Sequence, residues 1–110
     1  MSSLPAGLAE TIEHFRRGCE VRNKPVSPDV GREVIARFGP SYAQHADSWP
    51  RVSPKLLTLA RMAGRLAGLY ADLDGSPTVE WRHAKTALLD LRAESQTRYI
   101  GRYFAGVDVE

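Results

Sequence analysis

The sequence predicts an all-α fold, a bundle of four to five helices around a long central helix at about residues 53–73. Three observations carry that prediction. Apolar residues recur at spacings of three and four through most of the chain. No stretch alternates with period two for long. Ser-Pro or Thr signals open the later segments, and Gly-containing pairs close them. With 110 residues, 43% hydrophobic and 25% charged, residues 1–110 read as a single helical domain able to bury a modest core.

Each element follows in turn. Leu4, Leu8, Ile12, Phe15 and Cys19 share one face of a first helix. Ser3 offers an N-cap, Glu13–Arg17 an i,i+4 pair, and Gly18 marks the expected end. "EVRNKP" reads as a loop. Ser27-Pro28 then places a cap before proline at the first helical position, where its missing N–H costs nothing. Val30, Val34, Ile35 and Phe38 form the buried stripe of this second helix, and Gly39-Pro40 is expected to stop it. Residues 40–52 admit either a short helix from Ser41 to Ala46 or an ordered loop pinned by Tyr42 and Trp49.

Ser53-Pro54 repeats the start signal for the long helix, whose apolar set is Leu56, Leu59, Ala60, Ala63, Leu66, Ala67 and Tyr70. Asp74-Gly75 ends it. Thr78 caps a last helix with Trp81, Ala84, Leu88 and Leu91 inside, extended by Tyr99 and Tyr103. Within the long helix, Ala60, Gly64 and Gly68 make a small-residue strip. Each interior glycine costs about 1 kcal/mol relative to alanine, so the strip predicts a close approach by another backbone. That backbone belongs either to this chain's own first or last helix or to another subunit.

Charge is the second unusual property of the long helix. The net charge of +2 is small, but from residue 51 to residue 71 the chain carries Arg51, Lys55, Arg61 and Arg65 and no carboxylate. These cations fall at helical spacing opposite the apolar stripe. One reading is a solvated face. The other is a phosphate-binding face, because solubilising surfaces normally mix charge signs. Arg82 and Lys85 on the last helix would extend such a face, with Arg92, Arg98 and Arg102 beyond them. Tyr99 and Tyr103 would be available to stack on bases or, alternatively, to join the core or a subunit contact. Glu80, Asp90 and Glu94 dilute the field on that helix.

No phosphate-binding loop of the form G-x-x-x-x-G-K-[ST] and no G-x-G-x-x-G occurs. One cysteine and three histidines argue against an intrachain disulfide and a structural zinc site. Glu10, Glu13 and His14 read as ordinary surface pairs, Cys19 as a small buried hydrophobe, and His83 as a surface histidine. Glu10 and Glu13 exclude a signal peptide, and Arg61 and Arg65 interrupt the best candidate membrane span, so the expected location is cytoplasmic.

Across Leu8–Leu91 the order of "VSPDVGREVIARF", "VSPKLLTLARMAGRLAGLY" and "SPTVEWRHAKTALLDL" resembles the C-terminal helical lid of AAA+ ATPases of the MoxR and MCM type. That resemblance implies a helical module beside an ATPase, with Lys55 in the place of the sensor arginine that touches the nucleotide's terminal phosphate. In size, helicity and its Arg51–Arg65 stripe the chain also resembles the small subunits of CRISPR effector complexes. These readings lead to one expectation. The chain is a non-catalytic subunit, needing no cofactor or metal, that meets RNA or DNA through Arg51, Lys55, Arg61, Arg65, Arg82 and Lys85 and meets larger protein subunits. Self-association through the small-residue strip is compatible with it. The alternative is a lid-like protein-binding module with no nucleic-acid contact.

Overall fold

The computed structural model describes residues 4–94 and Val109. Four α-helices follow one another: α1 (Leu8–Glu20), α2 (Pro28–Gln44), α3 (Trp49–Leu73) and α4 (Trp81–Glu94), with one 3-10 turn (Ala46–Ser48) before α3. Among the described residues there is no strand, only a parallel bridge between Val26 and Val79. The protein is an all-α bundle centred on its longest helix. Ser3, Arg98, Tyr99, Arg102 and Tyr103 lie outside the described residues.

Helix ends explain where the structure departs from the expected boundaries. α1 begins at Leu8, after Gly7 in the left-handed region at φ 84°, so Leu4 precedes the helix and is exposed. Gly18 does not end α1. Asn23 does, at φ 55°, with the Asn23 and Lys24 N–H groups donating to the carbonyls of Glu20 (2.9 Å) and Cys19 (3.3 Å). The same pair of closing bonds ends α3. Gly75, at φ 69°, donates to Asp72 (3.0 Å) and Ser76 donates to Ala71 (2.9 Å), which satisfies the last carbonyls.

Ser27-Pro28 opens α2 as expected, with Ser27 Oγ accepting from the Asp29 N–H at 3.3 Å. Gly39-Pro40, however, does not stop it. α2 continues to Gln44 because the extra turn buries Ser41 and Tyr42, and Pro40 itself is exposed. Ile35, expected inside, is 38% exposed. The 40–52 region is therefore neither a separate short helix nor a loop. It is the end of α2, a tight turn and the start of α3, and the Tyr42 and Trp49 rings meet there at 5.5 Å.

α3 starts four residues ahead of Ser53-Pro54, with Pro50 in its first turn and Pro54 inside it. Burial of Val52 and Leu56 under Trp49 and Leu59 offsets the hydrogen bond that Pro54 cannot donate. α4 begins at Trp81, not after Thr78. The Glu80 carbonyl accepts the first helical N–H groups, and the cap comes from inside the helix, where His83 Nδ1 accepts from the Glu80 N–H at 3.0 Å. His83 is thus a buried residue, 4% exposed, and not the surface histidine expected.

α1 packs chiefly on α3, and α4 covers another side of it. Phe15, Cys19, Ala63, Ala67, Ala71, Ala84 and Ala87 fill this main core, with Val30 and Val79. A second cluster at the other end joins Leu8, Phe38, Tyr42 and Val109. The α1–α3 crossing is made by glycine on both helices. A Cβ on Gly64 would lie 2.0 Å from the Phe15 carbonyl oxygen, and one on Gly18 would lie 2.2 Å from that of Arg61. Gly68 is roomier, its nearest neighbour being Arg22 at 3.6 Å. The small-residue strip thus lies against the protein's own first helix.

Candidate nucleic-acid interface

The packing just described fixes which face of α3 remains outside. With Ala60, Ala63, Ala67 and Ala71 turned inward, the roughly 100° step per residue leaves Arg51, Lys55, Thr58, Met62 and Arg65 on the outer face. Arg51, Lys55 and Arg65 are exposed, and Arg51 and Arg65 make no ion pair among the described residues. Arg65 lies fourteen steps along the helix from Arg51, so the cations span about 21 Å. Between them, the Thr58 hydroxyl donates back to the Pro54 carbonyl at 2.9 Å, and Met62 is 48% exposed.

Arg61 sits at the edge of this face. Its guanidinium donates to His14 Nδ1 of α1 at 3.0 Å, which draws α1 into the same surface. Sequence spacing found Arg61. It could not find His14, because the two are brought together only by the glycine crossing. Phe15, adjacent to His14, lies under Gly64, so the closeness of the backbones is what sets this reach.

Arg82 and Lys85 belong to a different setting. Arg82 Nη2 pairs with Asp74 Oδ2 at 2.7 Å, and Lys85 is half-buried on α4. Asp74 is also the partner of His83, whose Nε2–H donates to Oδ2 at 2.9 Å, since Nδ1 is engaged as the acceptor from Glu80. The hydrogen bond from His83 and the charge of Arg82 hold the Asp74 carboxyl below its ordinary value. On the neighbouring turn Asp72 binds Lys24 at 2.9 Å and Arg22 at 3.0 Å, which lowers its pKa as well, Lys24 contributing most. Lys24 also donates to the Ser76 carbonyl at 2.8 Å. Carboxylates therefore cluster at the C-terminal end of α3, where they tie loops together, and leave the outer face to cations.

Cys19 is the small buried hydrophobe expected. Cys19 is fully buried, and burial pushes its thiol up to about 12, so it stays protonated at neutral pH. Among the described residues no group of three His, Cys, Asp or Glu is placed to hold a metal, and no helix is long and apolar enough to cross a membrane. Glu13 and Arg17 form the expected intrahelical pair at 3.9 Å, both exposed. Comparison with known proteins adds no relative: no family model, no curated protein and no solved structure matches the chain.

Proposed function

We propose that this protein is a non-catalytic helical subunit of a larger nucleic-acid-handling assembly, binding an RNA or DNA backbone through the outer face of α3. One observation carries the reading. Arg51, Lys55 and Arg65 stand exposed along a single helix face with Arg61 on its flank, and no acidic residue interrupts residues 51–71. Such a row neutralises phosphates without reading bases, which suits a subunit that lies along a strand positioned by others. Arg82, which pairs with Asp74, and the half-buried Lys85 are not part of this row. A cytoplasmic location and larger protein partners belong to the same reading.

The test is a salt titration with single-stranded RNA, single-stranded DNA and duplex DNA, beside the variant carrying Arg51, Lys55, Arg61 and Arg65→Ala. Binding is expected to weaken steeply with salt, and the variant is expected to lose about three to four units of log–log slope. Absence of binding by all three ligands at low salt, with the variant equally folded, would instead favour the lid-like module. That module predicts a complex with an ATPase subunit and no nucleic-acid contact.

A further inference from the structure

Arg61 and His14 meet across the α1–α3 seam although they stand 47 positions apart in the chain. Arg61 Nη2 lies 3.0 Å from His14 Nδ1, and a guanidinium has donors only. Nδ1 therefore accepts, which leaves it without a proton and puts the ring's single N–H on Nε2. The tautomer of His14 is thus set by a residue on another helix. Neither residue belongs to an ion pair among the described residues.

That N–H finds no acceptor among the described residues. No buried side-chain nitrogen or oxygen among them lacks a partner, so the Nε2–H is open to solvent. Glu10, one turn earlier on α1, does not take it, and Glu13 is held to Arg17 at 3.9 Å. The two nitrogens of an imidazole point apart across the ring, so the N–H is directed away from Arg61. The crossing that holds the pair is stiff, because Gly64 lies against the backbone of Phe15, the residue after His14. A neutral donor, polarised by the guanidinium on the opposite nitrogen, therefore stands ready beside the row of cations.

We infer that His14 is a further phosphate-contact residue, its Nε2–H donating to a backbone phosphodiester oxygen of a strand that crosses the seam from Arg61 onto α1. The inference rests on the reading of the outer face of α3 as a phosphate-binding face, and it extends that face to a second helix. The contact adds a hydrogen bond and no charge, unlike Arg51, Lys55, Arg61 and Arg65. Arg61 then has two tasks: it neutralises one phosphate and holds the adjacent donor in its tautomer.

Two measurements on the full chain test it, both at mildly alkaline pH. Proton–nitrogen NMR spectra of the free protein should show His14 protonated on Nε2, the signal being assigned by its loss in His14→Gln. Titration with single-stranded RNA and DNA oligonucleotides across a salt series then reads the contact itself. His14→Phe, which keeps a ring and removes both nitrogens, should weaken binding about fivefold with an unchanged salt slope. His14→Gln, whose amide both accepts from Arg61 and donates to phosphate, should stay within about twofold of the wild type. Arg61→Ala should lower the slope by about 0.7 and shrink the His14→Phe effect to less than about twofold. Three results would each overturn the inference while leaving the cationic row in place: a proton on Nδ1, unchanged affinity in His14→Phe beside a weakened Arg51, Lys55 and Arg65→Ala variant, or a His14→Phe loss that His14→Gln repeats. No binding by the wild type at low salt would remove the underlying reading as well.

Discussion

The two flanks of α3 are built on opposite principles. Against α1, Gly64 and Gly18 let the backbones approach until no β-carbon fits between them. Toward α2, Ala60, Ala63 and Gly31 line a space that no side chain fills among the described residues. Glycine is present on both flanks, yet on one it permits contact and on the other it leaves contact unmade. The same residue type therefore reports tight packing or its absence, and only the distance to the next atom separates the two.

The sharpest way to break this contrast is Gly64→Ala. The added methyl meets the Phe15 carbonyl, which is backbone and cannot rotate away, so a loss of about 3 kcal/mol in chemical denaturation is expected. This far outweighs the helix-propensity gain of about 1 kcal/mol. Gly18→Ala should behave alike, and the double variant should lose less than the two losses added, because one displacement of α1 serves both methyls. A full, additive loss would mean that the two glycines are not one contact.

His83 ties the α3–α4 connection together through Glu80 and Asp74. Removing its ring in His83→Ala leaves the Glu80 N–H without its acceptor and takes one partner from Asp74, for an expected cost of about 2 kcal/mol. Amide exchange should then accelerate in α2 and at the α1–α3 seam alike, since the Val26–Val79 bridge joins the loops beneath each. Acceleration confined to one flank would separate what the structure joins.

The opposite flank predicts the opposite sign. Gly31→Ala adds a methyl to open space and gains helix propensity, so stability should rise by up to about 1 kcal/mol. The smallest effect is on acid stability. Asp72 and Asp74 are held below their ordinary values in the folded protein, so their stabilisation is complete above the usual aspartate value near pH 3.9 and is lost as pH falls through the lower, folded ones. Urea melts between pH 5 and pH 2 should show this drop, and Asp72→Asn with Asp74→Asn should flatten it.

What the sequence made legible follows from how local each signal is. Ser27-Pro28 and Asp74-Gly75 act through bonds within a few residues, and both mark real helix ends. Gly39-Pro40 and Ser53-Pro54 carry equally strong local signals, yet helix runs through both, because burying Tyr42 in one case and Val52 and Leu56 in the other outweighs the local cost. Gly64 announced a close neighbour, but Gly18, its partner, resembled a helix end, since pairing across more than forty residues leaves no local mark. The basic row could be read directly from spacing. His14 beside Arg61, His83 behind Asp74 and the open space at Gly31 could not, because each depends on which helices become neighbours.

That neighbour pattern also bears on how the chain reaches its fold. α1 packs chiefly on α3, which follows it only after α2 has intervened, so the principal seam closes a long loop before any contact rewards it. Bundles of successive antiparallel helices avoid this delay by pairing each helix with the next. The nearest low-cost pairing here is α3 with α4, joined through the tight turn at Asp74-Gly75. Assembly is then expected to begin from that C-terminal hairpin, with α1 docking afterwards and α2 settling last over the remaining gap. The molecule would fold from its second half towards its first, against the order in which a ribosome delivers it.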